Sequence, residues 1–174
     1  MSTAGSTGKS RLEQIAALLR SHGVEFIVIG GQAEVLYGSP RVTADVDLCY
    51  RRTPENLGRL AAALSEIDPS LRGAPPGLPF RPDAATLGAG CNFTLVTSLG
   101  DLDLLGHVEP LGGFEELAER CEVVDVDGLP LAVIGLDQLI LIKSHLGRPR
   151  DREALLYLEP IKRMREDDRR SGRG

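Results

Sequence analysis

An α/β domain built on one mixed β-sheet is the fold class that this 174-residue sequence predicts, and three features predict it. Short β-branched apolar runs alternate with segments of helical periodicity. The first run, Val24 to Ile29, leads directly into a glycine pair and a short helix-like stretch, as a buried strand does. Near the end, Asp127-Gly128 separates two strand-like segments, a strong hairpin signal that adds antiparallel pairing to the sheet.

Taken in order, residues 1–9 are small and polar and read as a disordered start. Ser10 is a helix N-cap for Arg11 to His22, with Leu12, Ile15, Ala16 and Leu19 on one face and Gly23 as the stop. Val24 to Ile29 is the first strand; Gly30-Gly31 then opens a helix from Gln32 to Tyr37, closed by Gly38. Pro40 marks a loop, Asp45 to Tyr50 a second strand, and Pro54 the start of a helix to about Ile67. Five prolines between Asp68 and Pro82 predict an irregular excursion. Asn92–Thr97 and Leu102–Leu105 are strands joined by a turn at Ser98–Gly100, and Glu115–Cys121 is a short helix. Glu122–Val126 and Leu129–Ile134 form the hairpin; Asp137–Leu146 is an apolar helix and Arg150 to about Arg165 an amphipathic one. The expected organisation is one domain over 10–165 (core 24–135, C-terminal helices 136–165), followed by a disordered basic tail over 166–174.

Composition narrows the function classes. Aromatic residues make up only 4% and Trp is absent, which argues against a stacking platform for single-stranded nucleic acid. Cys49, Cys91 and Cys121 are odd in number and widely spaced, so neither a disulfide framework nor a zinc knuckle fits. No signal-peptide pattern and no apolar run of membrane-spanning length is present, so a reducing cytoplasm is the expected setting. The net charge of -5 is uneven: residues 1–142 carry 10 basic against 19 acidic residues, residues 143–174 carry 10 against 6. The basic end could face a polyanion, or be a solvated helix and tail. His22, His107 and His145 are isolated, which does not suit a metal site. Gly5 to Ser10 reads Gly-Ser-Thr-Gly-Lys-Ser, but a Walker A loop would need Gly where Thr3 stands and a preceding strand.

The chemistry is concentrated between Gly30 and Asp47. On a strand, residues two apart share a face, so Asp45 and Asp47 set two carboxylates side by side. Their mutual repulsion and desolvation are relieved by a divalent cation, and hard oxygen donors suit Mg²⁺ with phosphates completing its shell. The strand–glycine–helix arrangement brings backbone N–H groups to the same sheet edge, and Arg41 adds a positive fork for a phosphate. A third carboxylate follows 56 positions after Asp47, in Gly100-Asp101-Leu102-Asp103-Leu104-Leu105. Asp101 and Asp103 share a face there, and either could complete a three-carboxylate cluster holding two metals about 3.5–4 Å apart.

Taken together, Gly30-Gly31, Gly38, Arg41-x-Thr43-x-Asp45-x-Asp47 and Gly100-x-x-Asp103 resemble the signature of the nucleotidyltransferase superfamily, the polymerase-β-like minimal fold. Lys143-Ser-His-Leu-Gly147-Arg148-Pro-Arg-Asp151 is similar to a motif of the AbiEii and MenT type toxins of toxin–antitoxin systems. The resemblance spans roughly Val24 to Leu158. It implies a nucleotidyltransferase fold in which Gly30 and Gly31 cradle a triphosphate. Asp45 and Asp47 would be metal ligands, and Asp103 rather than Asp101 would bind the catalytic metal and help deprotonate the acceptor. Arg41, Thr43, Lys143 and Arg148 would complete the nucleotide site, with Lys143 stabilising the departing pyrophosphate and Asp151 orienting Arg148 or Lys143. Many relatives carry Ser where this chain has Gly31.

The implied activity is transfer of a nucleoside monophosphate from an NTP to an acceptor hydroxyl, with two Mg²⁺ ions, or Mn²⁺ in their place. The motifs favour RNA, the 3′ end of tRNA in particular, as acceptor, and a cognate antitoxin as partner; a protein hydroxyl or a small aminoglycoside-like molecule is the other choice. The alternative reading is a non-catalytic nucleotide- or partner-binding module of the same fold.

Overall fold

A computed structural model describes residues 8–172; of the expected disordered termini, 1–7 and 173–174 lie outside these residues, while 166–171, expected as a disordered tail, are helical. Ser10 caps the first helix, α1 (Arg11–Ser21): its hydroxyl accepts the Glu13 N–H while the Glu13 carboxylate accepts the Ser10 N–H, a reciprocal cap that satisfies two otherwise orphaned donors. Gly23, at φ 73°, then turns the chain into β1 (Phe26–Ile29), all four residues of which are buried. Next come α2 (Gly30–Leu36), β2 (Val46–Tyr50), α3 (Pro54–Leu64), β3 (Ser70–Leu71) and α4 (Ala84–Ala89). They are followed by β4 (Asn92–Thr97), β5 (Gly100–Leu105), α5 (Phe114–Ala118), β6 (Glu122–Val126), β7 (Leu129–Val133), α6 (Leu136–Leu146) and α7 (Pro149–Ser171).

The strands form one seven-stranded mixed sheet in the order β3-β4-β5-β2-β1-β7-β6. β1 runs antiparallel to β2 and parallel to β7, β2 runs parallel to β5, and the outer pairs are antiparallel. The expected hairpin closes β6 onto β7, with Asp127 and Gly128 both at positive φ, as a two-residue type I′ turn requires. The core is the apolar faces of this sheet and its helices: Ile15 and Leu19 of α1, Ile27 and Val28 of β1, Leu60 and Leu64 of α3, Leu102 and Leu104 of β5, all at most 1% exposed. Each such side chain contributes about 1.5–3 kcal/mol by leaving water.

The departures from expectation have local causes. α2 begins at Gly30 rather than Gln32, because Gly30 adopts φ 64° and turns the chain into the helix at once. The proline-rich excursion contributes the two-residue β3, and α4 follows it, started by an Asp83 carboxylate that accepts the Thr86 N–H at 2.8 Å. Six residues carry too little periodicity to announce a helix. α7 continues to Ser171, beyond the expected end at Arg165, where Arg165 (2.9 Å) and Arg169 (4.0 Å) reach Glu122 of β6. Among the described residues, no helix is long and apolar enough to cross a membrane.

Candidate active site

The sheet topology brings the separated acids together. In the parallel β2–β5 pair Asp47 stands directly opposite Asp103, and in the antiparallel β1–β2 pair it stands opposite Ile29. Ile29 immediately precedes Gly30, so the glycine turn and both carboxylates meet at one end of the central strands. A Cβ on Gly30 would collide with the Asp47 carboxylate, and one on Gly31 would come within 2.7 Å of Thr43 Oγ1. The glycine pair therefore makes room for Asp47 and Thr43, and a serine at position 31 would have to displace Thr43.

These residues line a cleft of about 450 Å³, within the size range of small-molecule sites. Its sheet side presents Asp45, Asp47 and Asp103, followed by Leu105 and His107, the alternate residues expected on one face of a strand and its extension. Also lining it are Gly30, Gly31, Glu34, Arg41 and Thr43, with Leu139, Ile142, Lys143, Leu146, Arg148 and Arg150 from the C-terminal helices. The cleft is thus lined by acids from the strands and, as its basic wall, by cations from the loop after α2 and the C-terminal helices.

Asp47 is pushed up to about 7, chiefly by burial, then by the neighbouring Asp103 and Asp45 carboxylates, with Lys143 pulling the other way. A pair of acids that disfavours its own full ionisation is the chemistry a hard divalent cation relieves. Asp103 Oδ1 is buried and makes no hydrogen bond. It lies 2.9 Å from Arg72 Nη2, a close charge contact whose alignment is too poor for a hydrogen bond; that guanidinium also donates to the Leu95 carbonyl at 3.0 Å. Asp101 Oδ2 sits 3.5 Å from Arg72 Nε and does not line the cleft, which separates the two acids that share this face of β5. Among the described residues no three His, Cys, Asp or Glu side chains converge closely enough to form a ready metal cage. The oxygen donors are of the type that suits Mg²⁺, while Arg72 holds the third of them.

On the basic wall, Lys143 Nζ is 2.8 Å from Glu34 Oε1 and 3.5 Å from Asp151 Oδ1. Arg41 Nη1 lies 3.0 Å from Glu34 Oε2, and Arg148 Nε donates to Asp151 Oδ2 at 2.6 Å. Asp151 is fully buried. Burial alone would raise its carboxyl, but the Arg148 hydrogen bond and the Lys143 charge outweigh that and hold it below the ordinary value. Asp151 therefore touches both of the cations it was expected to orient. Lys143 is not a solvated helix lysine: its side chain is 12% exposed and ion-paired.

Every residue expected at the site thus faces this cleft except Asp151, which supports it from behind. Sequence reasoning missed Glu34 and Arg72, which carry no motif, and it treated His107 as isolated. His107 Nε2 pairs with Glu109 Oε1 at 3.0 Å on the cleft wall; the His-x-Glu spacing was the available signal. His22 instead pairs with Glu66 at 2.8 Å, away from the cleft.

No protein-family model matches the chain, and no curated protein matches it. Solved structures do. A candidate nucleotidyltransferase from Thermotoga maritima is 18% identical, with a TM-score of 0.54 over 83% of this chain and 87% of that one. A lincosamide antibiotic adenylyltransferase in its lincomycin-bound form is 16% identical, with a TM-score of 0.59 over 87% of this chain and 96% of that one. At such identities the likeness is one of fold: the mixed sheet flanked by helices is a nucleotidyltransferase fold.

Proposed function

We propose that the chain is an Mg²⁺-dependent nucleotidyltransferase that moves a nucleoside monophosphate from an NTP to an acceptor hydroxyl. The observation that carries this reading is the in-register pairing of Asp47 with Asp103 in a cleft that Arg41, Lys143 and Arg148 also line.

Asp45, Asp47 and Asp103 are the residues that would hold Mg²⁺, one ion or two, with Mn²⁺ as a substitute. Bound there, the ion would neutralise charge on the triphosphate and polarise its phosphoryl oxygens. Asp103 takes the acceptor's proton as the acceptor oxygen forms its bond to the α-phosphorus. The bond from that phosphorus to the bridging oxygen breaks, and pyrophosphate leaves with the electron pair. Lys143 and Arg41 meet the charge that builds on the leaving group, and Gly30 and Gly31 let the backbone approach the phosphates. Thr43 and Arg148 complete the nucleotide side, with Asp151 acting through Arg148 and Lys143.

The Lys143 to Asp151 motif, with its likeness to AbiEii and MenT type toxins, makes RNA, and the tRNA 3′ end first, the acceptor to test, with a cognate antitoxin as partner. The fold neighbour that acts on a lincosamide makes a small hydroxyl-bearing molecule the second. Three free cysteines suit a cytoplasmic setting. Incubation with each labelled NTP, Mg²⁺ and either total RNA or small acceptors should transfer label, and Asp47→Ala should abolish it. The contact of Arg72 with Asp103 favours a second reading, a nucleotide-binding module without catalysis; tight NTP uptake with no transfer to any acceptor would establish that instead.

A further inference from the structure

We propose that Glu34 is a positioning residue of this cleft: its buried carboxylate joins Lys143 and Arg41 so that the two cations act as one receptor for the phosphates of the nucleotide. This rests on the reading of the cleft as a nucleotide site. The Glu34 side chain is 3% exposed, and each of its oxygens serves one cation, Oε1 on Lys143 Nζ at 2.8 Å and Oε2 on Arg41 Nη1 at 3.0 Å. The cations arrive from separate parts of the chain, Arg41 from the loop after α2 and Lys143 from α6. Left alone they would repel each other, and each long side chain has about 2 kcal/mol of rotamer freedom to lose on ordering. A shared carboxylate removes both obstacles before a ligand arrives, which is preorganisation.

The charges are unbalanced in the useful direction. Glu34, Asp151 and, 4.0 Å from Arg41, Glu153 offset three of the four cations Arg41, Lys143, Arg148 and Arg150, and one positive charge is left for an anion. Arg41 is still 24% exposed and Lys143 12%, so both can be reached from the cleft they line. Glu34 also sits one helical turn after Gly30, so the phosphate-facing turn and the carboxylate that aims the cations belong to one rigid piece. A purely structural ion pair would support stability without affecting affinity, and the two roles separate by measurement.

Calorimetric titration with Mg²⁺–tripolyphosphate avoids any dependence on base preference. The wild-type protein, Glu34→Gln and Glu34→Asp are compared, with circular dichroism and thermal unfolding reporting whether each is folded. Glu34→Gln is expected to bind about tenfold or more weakly, the size of one charge-assisted hydrogen bond lost, even though it removes a negative charge from an anion site. Glu34→Asp keeps the charge but is too short to span both cations, and is expected to fall between the two. Wild-type affinity in either folded variant, with or without lower thermal stability, overturns the proposal. A wild-type protein that takes up neither Mg²⁺–tripolyphosphate nor any Mg²⁺–NTP defeats the nucleotide-site reading itself.

Discussion

Asp47 and Gly30 constrain each other atom by atom. The Asp47 carboxylate occupies the space a Cβ at position 30 would need, and φ at Gly30 is 64°. Gly30→Ala should therefore destabilise the fold by at least about 1 kcal/mol and displace Asp47, seen as a lower unfolding midpoint together with lost nucleotide binding. The acid itself sets a pH dependence. Because Asp47 is raised to about 7, mainly by burial and then by Asp103, the native state holds its proton more tightly than the unfolded chain does. In metal-free protein that stabilisation is complete below about 4 and is lost as the pH climbs towards about 7. Asp47→Asn should flatten this part of a stability-versus-pH curve. If Asp103 is the proton acceptor, it is expected to be worth about 10²–10⁴ in turnover, so Asp103→Asn should lower label transfer by that factor. The paired acids were readable from the chain because strand alternation places Asp45 with Asp47, and Asp101 with Asp103, by simple counting. Glu34 and Arg72 were not, since each owes its place to partners brought in by the tertiary fold: Lys143 is supplied by α6, and Arg72 by the pairing of β3 with β4.

At the level of elements, the join between α6 and α7 is where the basic wall is built. Gly147, at φ 60°, ends α6, and Asp151 caps α7 by accepting the Arg148 N–H while gripping the Arg148 guanidinium. One buried carboxylate thus starts a helix and aims two cations. Asp151→Asn should cost about 1.5–3 kcal/mol, the range for hydrogen bonds to charged groups, measured by chemical denaturation, and should weaken nucleotide binding in parallel. Strong local chemistry made most elements legible: the Ser10 cap, the Asp127-Gly128 turn and the apolar run of β1 each specify a unit without help from the rest of the chain. β3 and α4 were not legible, because a two-residue strand exists only through its partner β4 and a one-turn helix only through its Asp83 cap. The end of α7 was hidden for a related reason, since its last turns are held by Glu122, distant in sequence.

Across the whole molecule, the uneven charge is partly spent internally. Lys162 is paired with Asp137, and Arg165 with Glu122, which reduces what the basic end can offer a polyanion. If the cleft takes a metal–nucleotide complex, a ligand present at 100 times its Kd should stabilise the protein by about 2.7 kcal/mol. That is about 5–10 °C in unfolding midpoint for a chain of this size, and EDTA should remove the shift. Arg72 adds a mechanical consequence. Its backbone N–H is bonded to Thr94 at the outer edge of the sheet while its guanidinium touches Asp103 near the centre, so the margin of the molecule is tethered to its most acidic point. A cation that competes for Asp103 loosens that tether, and by reciprocity a slack margin favours the cation. Deuterium uptake at the Ser70–Arg72 amides should then quicken when Mg²⁺–NTP is bound, which would turn a two-residue ribbon into a gauge of occupancy.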